Sequence, residues 1–215
     1  MFRELLASRK RTLVNSALDE LLSMVENAER MFGEATSALL DAGPEPDISR
    51  EDQDINVGER LVRRLIFHHL LTNPQQDLST SLAILGVVHE AERMGDYAKS
   101  LMELHRWGAL CAADNPYKAG CRDVRDAVLP LFGKALAGLR DSDTEAAREV
   151  MQIHLQVKER TSAIMEAALA DPQADRRALV WTVVALYIRR ISAHLSNVAS
   201  SVVNPLDRLG RKEAT

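Results

Sequence analysis

Two short proline joints constrain this chain more than any other feature. "TNPQQDL" at 72–78 and "ADPQADR" at 170–176 place Pro74 and Pro172 98 residues apart. Each joint interrupts a long stretch in which apolar residues recur every three or four positions, the period of a helix. So short a connection between long helices folds them back antiparallel. The same punctuation used twice at this distance predicts a duplicated unit. The longer break "ADNPYKAG" at 113–120 separates the copies.

The remaining punctuation completes the pattern. Leu13, Ala17, Leu21, Met24, Ala28, Met31, Ala35 and Leu39 mark one face of a first helix, which Gly43 and the turn "GPEPDIS" stop. Ser49 is expected to cap a second helix that runs to about Thr72. Asn73, Pro74 and Gln76 read as the cap, first residue and capping-box partner of a third, running to about Ala112. A fourth spans Cys121 to about Leu139, with a kink expected at Pro130. Ser142 and Glu145 form a capping box for a fifth that ends near Ala170. A sixth runs to about Val203, before Asn204-Pro205. The predicted fold is all-α: six helices in two tandem antiparallel three-helix bundles. The first occupies 1–112, the second 113–205, and 206–215 forms a charged tail.

Composition narrows the function. Hydrophobic residues make up 46% of the 215 positions but aromatics only 4%, which suits an aliphatic helical core rather than a sheet. The net charge of −4, with both signs interspersed, argues against a nucleic-acid binder relying on a basic stripe. The N-terminus has no apolar leader, and "LAILGVV" at 82–88 is too short to span a bilayer, so a cytoplasmic location is expected. Cys111 and Cys121 have no nearby histidine pair and read as ordinary thiols. Trp107 and Trp181 read as packing residues. At least one of His68 and His69 is expected to face solvent, and His194 to donate to a neighbouring helix.

The segment "EAERMGDYA" at 90–98 carries the most chemistry. On the third helix Leu78, Leu82, Leu85, His89, Glu92, Asp96 and Lys99 share one stripe. It is apolar for two turns and then becomes His, Glu and Asp. Carboxylates and imidazole converging from helices are how bundle proteins hold metal ions. On spacing alone, an acidic pair one turn apart is far more often a solvated face. Register favours the metal reading, because these acids fall where the core-facing stripe is expected. Gly95 lies on a second stripe of small residues with Ala91 and Ala98, which would admit a neighbouring helix closely.

These residues resemble the PhoU family of phosphate-uptake regulators. The resemblance rests on the acid-Arg-apolar-Gly-Asp run of Glu92, Arg93, Met94, Gly95 and Asp96, preceded by Pro74 and Asp77-Leu78. Upstream, Asp52, Ile55 and Asn56 are similar to the family's Asp-x-x-Ile-Asn segment. The resemblance implies a cytoplasmic regulator rather than an enzyme. It implies a homodimer that works with a phosphate ABC transporter ATPase subunit and a phosphate-sensing histidine kinase, touching the membrane only through them. It also implies a divalent or trivalent metal ion (Fe, Zn, Mn or Mg), held by Glu92, Asp96, Asp52, Asn56 and His89 of the first repeat.

The second repeat departs from that pattern. In "YIRRISAHLSNVASS", aligning Arg190 with Arg93 puts Arg189 at the place of Glu92, Ser192 at that of Gly95 and Ala193 at that of Asp96. His154 and Lys158 fall opposite Asp52 and Asn56. Cations repel a hard metal ion, so the second site is expected to be lost. Arg189, Lys158 and Arg190 become candidates for binding an anion. Two other readings stay open: a metal-free helical scaffold, and a carboxylate-ligated metal enzyme. The latter is disfavoured because His89 precedes Glu92, reversing the Glu-x-x-His order such sites use.

Overall fold

The structure, a computed structural model, describes residues 12–107 and 116–204. Among these are six α-helices and no strand: α1 (Leu13–Leu40), α2 (Ser49–Thr72), α3 (Leu78–Glu103), α4 (Pro116–Asp141), α5 (Thr144–Ala170) and α6 (Arg176–Val203). A 3-10 turn, Leu104–Trp107, follows α3. The expected end of the third helix at Ala112, Cys111, the Trp107 side chain, the boundary at 112–113 and the tail lie outside the described residues.

Most helix limits follow the sequence reading, but α3 ends at Glu103 rather than running on to Ala112, α4 starts at Pro116 rather than Cys121, and several caps differ. α1 is capped by Thr12, whose hydroxyl accepts from the Asn15 amide, and left-handed backbone after it falls on Ala42 (φ 55°) rather than Gly43. Ser49 opens α2 without capping it; its amide donates to the Asp47 carboxylate. Pro74 does not start α3. The segment 74–77 is a turn closed by the Gln76 amide on the Asn73 carbonyl, and α3 begins after Asp77. His69 lies beneath this turn, buried, its Nε2 2.8 Å from the Gln76 carbonyl, while His68 is exposed. α5 is capped by Asp143 instead of Ser142, its carboxylate accepting from the Glu145 and Ala146 amides. α4 is one continuous helix through the exposed Pro130. The misplaced caps share a cause: adjacent capping residues differ by about 1 kcal/mol or less, so packing selects among them.

Contacts divide the helices into two triples, α1–α3 and α4–α6, joined by α3 against α6 and α1 against α4. Their register makes both joining pairs antiparallel. Glu26 of α1 meets Arg140 while Asp41 meets Arg122 and Arg125. On the other pair, Glu90 meets Asn197 while Tyr97 meets Tyr187. The second triple is therefore turned end for end relative to the first. One continuous core runs through both, and Phe32 and Phe132 bridge it with ring centroids 5.7 Å apart. Where α3 crosses α6, the partly buried Glu90 accepts from Asn197 Nδ2 at 2.8 Å and lies 2.7 Å from His194 Nδ1. His194 in turn stacks on Tyr97. α6 is apolar enough, over 18 residues, to meet a length-and-composition test for a membrane helix, and 44% of that window is buried. Its packing on α3, α4 and α5 accounts for that apolarity.

Two glycines set how closely α2 is held. A Cβ on Gly95 would stand 2.9 Å from Ile55 Cδ1 of α2, and one on Gly58 would stand 2.8 Å from Met24 Cγ and 2.8 Å from Glu20 Oε1 of α1. Small residues at both contacts let α2 settle against its neighbours, as the stripe around Gly95 suggested. Ile55 Cδ1 is a mobile methyl, whereas Met24 Cγ sits close to its backbone. Alanine also gains about 1 kcal/mol of helix propensity over glycine. Gly95→Ala is expected to change unfolding free energy by less than about 1 kcal/mol, and Gly58→Ala to cost about 1–3 kcal/mol. Urea denaturation of the two variants measures the difference, and equal effects would refute this account.

Candidate functional site

The α2–α3 turn fixes the register between those helices, and that register builds a groove. Asp52 of α2 meets Lys99 of α3, and Glu59 meets His89, so positions 52–59 run antiparallel along 99–89. Asp52, Asn56, Glu59 and Arg63 share a stripe on α2 at steps of three and four, facing His89, Glu92 and Asp96 on α3. The residues named from sequence thus lie along one groove. Glu59 was missed, although its place on the stripe of Asp52 and Asn56 was a readable signal.

The groove has two ends and a middle. At one end Lys99 Nζ donates to Asp52 Oδ2 at 2.8 Å, which raises the lysine pKa. Asn56 Nδ2 turns back to the Asp52 carbonyl at 2.8 Å. Asp96 is engaged by Arg93 Nη1 at 3.2 Å. In the middle, His89 Nδ1 stands 3.3 Å from Glu92 Oε2 and 3.5 Å from Glu59 Oε1. Glu59 is also gripped by Arg63 at 2.8 Å. Its pKa ends below the ordinary value: burial pushes it up, but Arg63 and His89 outweigh burial. Glu92 goes the other way. Burial and the Asp96 charge raise its pKa against the pull of His89 and Arg93, and its buried Oε2 accepts no hydrogen bond.

One sequence argument is corrected here. The stripe from Leu78 to Lys99 does not face the core. Leu78 and Leu82 are each 43% exposed and His89 is exposed. The buried face runs through Ile84, Val88, Ala91, Gly95, Ala98 and Met102, rotated by roughly a quarter turn. Glu92 and Asp96 therefore lie on a flank, covered in part by α2. Periodicity also did not reveal that apolar residues are left exposed near the turn: Phe67 and Leu71 of α2, 63% and 66% exposed, lie at the same end of the hairpin as Leu82 and Leu78. The outer surface of the hairpin is thus apolar near its turn and acidic beyond.

As they stand, these donors do not fit a metal ion. Among the described residues no three His, Cys, Asp or Glu side chains gather as a metal-holding group. Glu59 and Glu92 do approach one point, but His89 Nδ1 occupies it, while ligand oxygens need to lie about 2.0–2.6 Å from an ion. Arg93 and Lys99 hold the carboxylates of Asp96 and Asp52.

The second triple repeats the geometry with other chemistry. His154 Nδ1 lies 3.0 Å from the hydroxyl of buried Ser192, where Ile55 lies against Gly95 in the first. By contact, His154 is thus the counterpart of Ile55 rather than of Asp52. Arg189 reaches Ser162 at 3.4 Å. Exposed Arg190, about 100° further round the helix, is turned away from Arg189, so the three expected cations do not form one cluster. Buried Cys121 donates to the Trp181 carbonyl, and burial pushes its thiol up to about 12, in keeping with a packing role. Trp181 is fully buried, also as a packing residue.

The arrangement defines a class: an all-α protein of two inverted helix triples whose charged residues line helix-pair grooves. Residues 21–104, which contain α2, α3 and the whole groove, match the PhoU domain family. No curated protein matches the chain in sequence. In three dimensions the chain is similar to PhoU from Pseudomonas aeruginosa, seen by crystallography, with a TM-score of 0.76 and 24% identity. The match covers 89% of this chain and 95% of that one. Residues 21–104 are thus similar to the PhoU domain, and the chain shares the PhoU fold over most of its length.

A carboxylate kept against its preference leaves a thermodynamic trace. The raised Glu92 pKa favours the protonated form in the folded state. Its contribution is full below the unfolded value of 4.5 and is lost as pH rises through the folded value. Glu92→Gln is therefore expected to raise Tm by about 1–3 °C at pH 7 and to leave it unchanged near pH 4. Thermal melts at both pH values test this, and a lower Tm at pH 7 would contradict it.

Proposed function

We propose that this chain is a cytoplasmic regulator of phosphate uptake and phosphate-starvation signalling. It would act, as a homodimer, as an adapter between a phosphate ABC transporter ATPase subunit and a phosphate-sensing histidine kinase. The observation that carries the reading is the PhoU domain over residues 21–104, which encloses the α2–α3 hairpin. The surface of that hairpin supports a docking role. Phe67, Leu71, Leu78 and Leu82 leave apolar area open to solvent, and the acids of the groove follow directly on α3. Exposed apolar clusters of this kind mark interaction sites. The complementary partner is a segment with apolar residues at one end and Lys or Arg one or two turns further on, laid along the groove.

Metal binding is a separable part of the proposal. Glu59, His89 and Glu92 are the nearest approach to a donor set, with Asp96, Asp52 and Asn56 flanking them. Loading would require His89 to swing out of the central position and Arg93 to release Asp96. The metal-free scaffold is favoured by one observation, that Lys99 and Arg93 already neutralise Asp52 and Asp96. A carboxylate metal enzyme has less support, since the carboxylates converge on an imidazole nitrogen.

Two experiments test these readings. Co-purification with the ATPase subunit and with the kinase is expected to succeed for the native chain. It is expected to fall at least about tenfold for Leu71→Glu/Leu82→Glu, whose sites are solvent-exposed. Capture of neither partner would remove the adapter reading. For metal, elemental analysis and titration of the purified chain decide between the readings: one site weakened about tenfold or more by Glu92→Ala and by Asp96→Ala would support metal binding. Unchanged affinity and stoichiometry would exclude these residues as ligands and leave the scaffold reading in place.

A further inference from the structure

The outward face of α2 mixes large apolar side chains with arginines. Among the described residues nine large apolar side chains are exposed, and four of them, Val57, Leu61, Phe67 and Leu71, lie on this one helix. Arg60 and Arg64 are exposed between them. At 100° per residue all six fall within an arc of about 120°, and they run for about 21 Å along the helix. That arc is opposite the buried face through Ile55, Gly58, Val62 and Ile66, which packs on α1 and α3. The only acid from 57 to 71 is Glu59, and it turns into the α2–α3 groove towards His89.

The fold does not require this composition. His154 meets Ser192 where Ile55 meets Gly95, so α5 takes in the second triple the place of α2 in the first. In that register the six positions are Gln156, Glu159, Arg160, Ala163, Glu166 and Ala170. They too are exposed, yet they include no large apolar residue and carry both signs of charge. A helix in this place thus packs with a polar outer side, and exposed apolar clusters mark interaction surfaces.

Charge and shape say what the face fits. It is positive although the chain has a net charge of −4, so its complement is anionic. It is the ridge of a single helix, with apolar and basic side chains interleaved. A partner helix is received in a groove. A bilayer surface accepts a ridge: apolar side chains enter the boundary between headgroups and acyl chains, while arginines stay with the phosphates.

We propose that the outward face of α2 binds bilayer surfaces rich in anionic lipid, with Val57, Leu61, Phe67 and Leu71 inserted shallowly and Arg60 and Arg64 on lipid phosphates. This goes beyond the adapter reading, in which the chain touches the membrane only through its partners. Phe67 and Leu71 also belong to the docking surface of that reading, so the test uses the other four positions.

The test is co-sedimentation of the purified full-length chain with vesicles of phosphatidylcholine alone, or of phosphatidylcholine and phosphatidylglycerol in equal parts. Binding to the mixed vesicles is expected, at least about tenfold stronger than to phosphatidylcholine alone and weakened by salt. Arg60→Gln/Arg64→Gln and Val57→Ser/Leu61→Ser are each expected to weaken it about tenfold. All four sites are exposed, and circular dichroism checks that the helices are kept. Arg160→Gln/Arg176→Gln removes the same charge from exposed positions of other helices and is expected to bind as the native chain does. The proposal falls if the native chain binds neither vesicle, if it binds both equally, if both α2 variants bind as the native chain does, or if the Arg160/Arg176 variant loses as much as the Arg60/Arg64 variant. Loss of transporter or kinase capture by Arg60→Gln/Arg64→Gln, without vesicle binding by the native chain, would assign the face to an acidic protein surface instead. Capture of neither partner, with vesicle binding intact, would remove the adapter reading and leave this one.

Discussion

The close approach of α2 to α3 is the constraint on which the rest depends. It is set at Gly95, where Ile55 occupies the space a side chain would fill, and at the turn, where His69 lies beneath the Gln76 carbonyl. With both ends fixed, the register has no freedom to slip. Asp52 is brought to Lys99, Glu59 to His89, and Glu92 into a partly dry position where its charge is disfavoured. A wider spacing would let water into the groove and return these carboxylates to ordinary surface behaviour. Gly58 contributes on the other side of α2 by letting it sit against Met24 of α1.

The inverted repeat gives the chain two corresponding grooves with different charged residues. In the first triple, histidine and arginine sit among carboxylates; in the second, Lys158 and Arg189 sit near hydroxyls. Because α2, α3, α6 and α5 follow one another in contact, both grooves belong to one side of the molecule, with Glu90, His194 and Tyr97 between them. A ligand in either groove would act on a helix that is part of the joint between the triples. Charge was exchanged on the groove flanks while the buried face stayed apolar, so the two triples keep one packing scheme with different binding chemistry.

Much of this was legible in the residues. Helical period and proline joints gave six helices, their pairing and most of their limits, the end of α3 at Glu103 being the exception. The stripe of small residues gave the close approach at Gly95, and aligning the repeats gave the exchange of Glu92 for Arg189. The cap at Ser142, the helix start at Pro74 and the stop at Gly43 were misplaced, because neighbouring residues compete for these roles at small energy differences. Glu59 could have been found from its spacing with Asp52. The exposure of Leu78 and Leu82 could not, since an apolar residue on a flank reads like one in a core.

The amino-acid sequence by itself determined that the chain is helical, that it is built twice, and that Glu92 and Asp96 of one copy are answered by Arg189 and Ala193 in the other. Those properties reside in local period and residue identity, which need no partner to exist. Only the tertiary structure decided which flank each groove residue occupies. It also decided that His89 fills the point where Glu59 and Glu92 converge, and that Phe67, Leu71, Leu78 and Leu82 near the turn are left exposed. A helix pattern defines a buried direction only to within some tens of degrees. The position of the neighbouring helix then determines which residues at the edge of that direction are covered, and that position is fixed by contacts far apart in the chain.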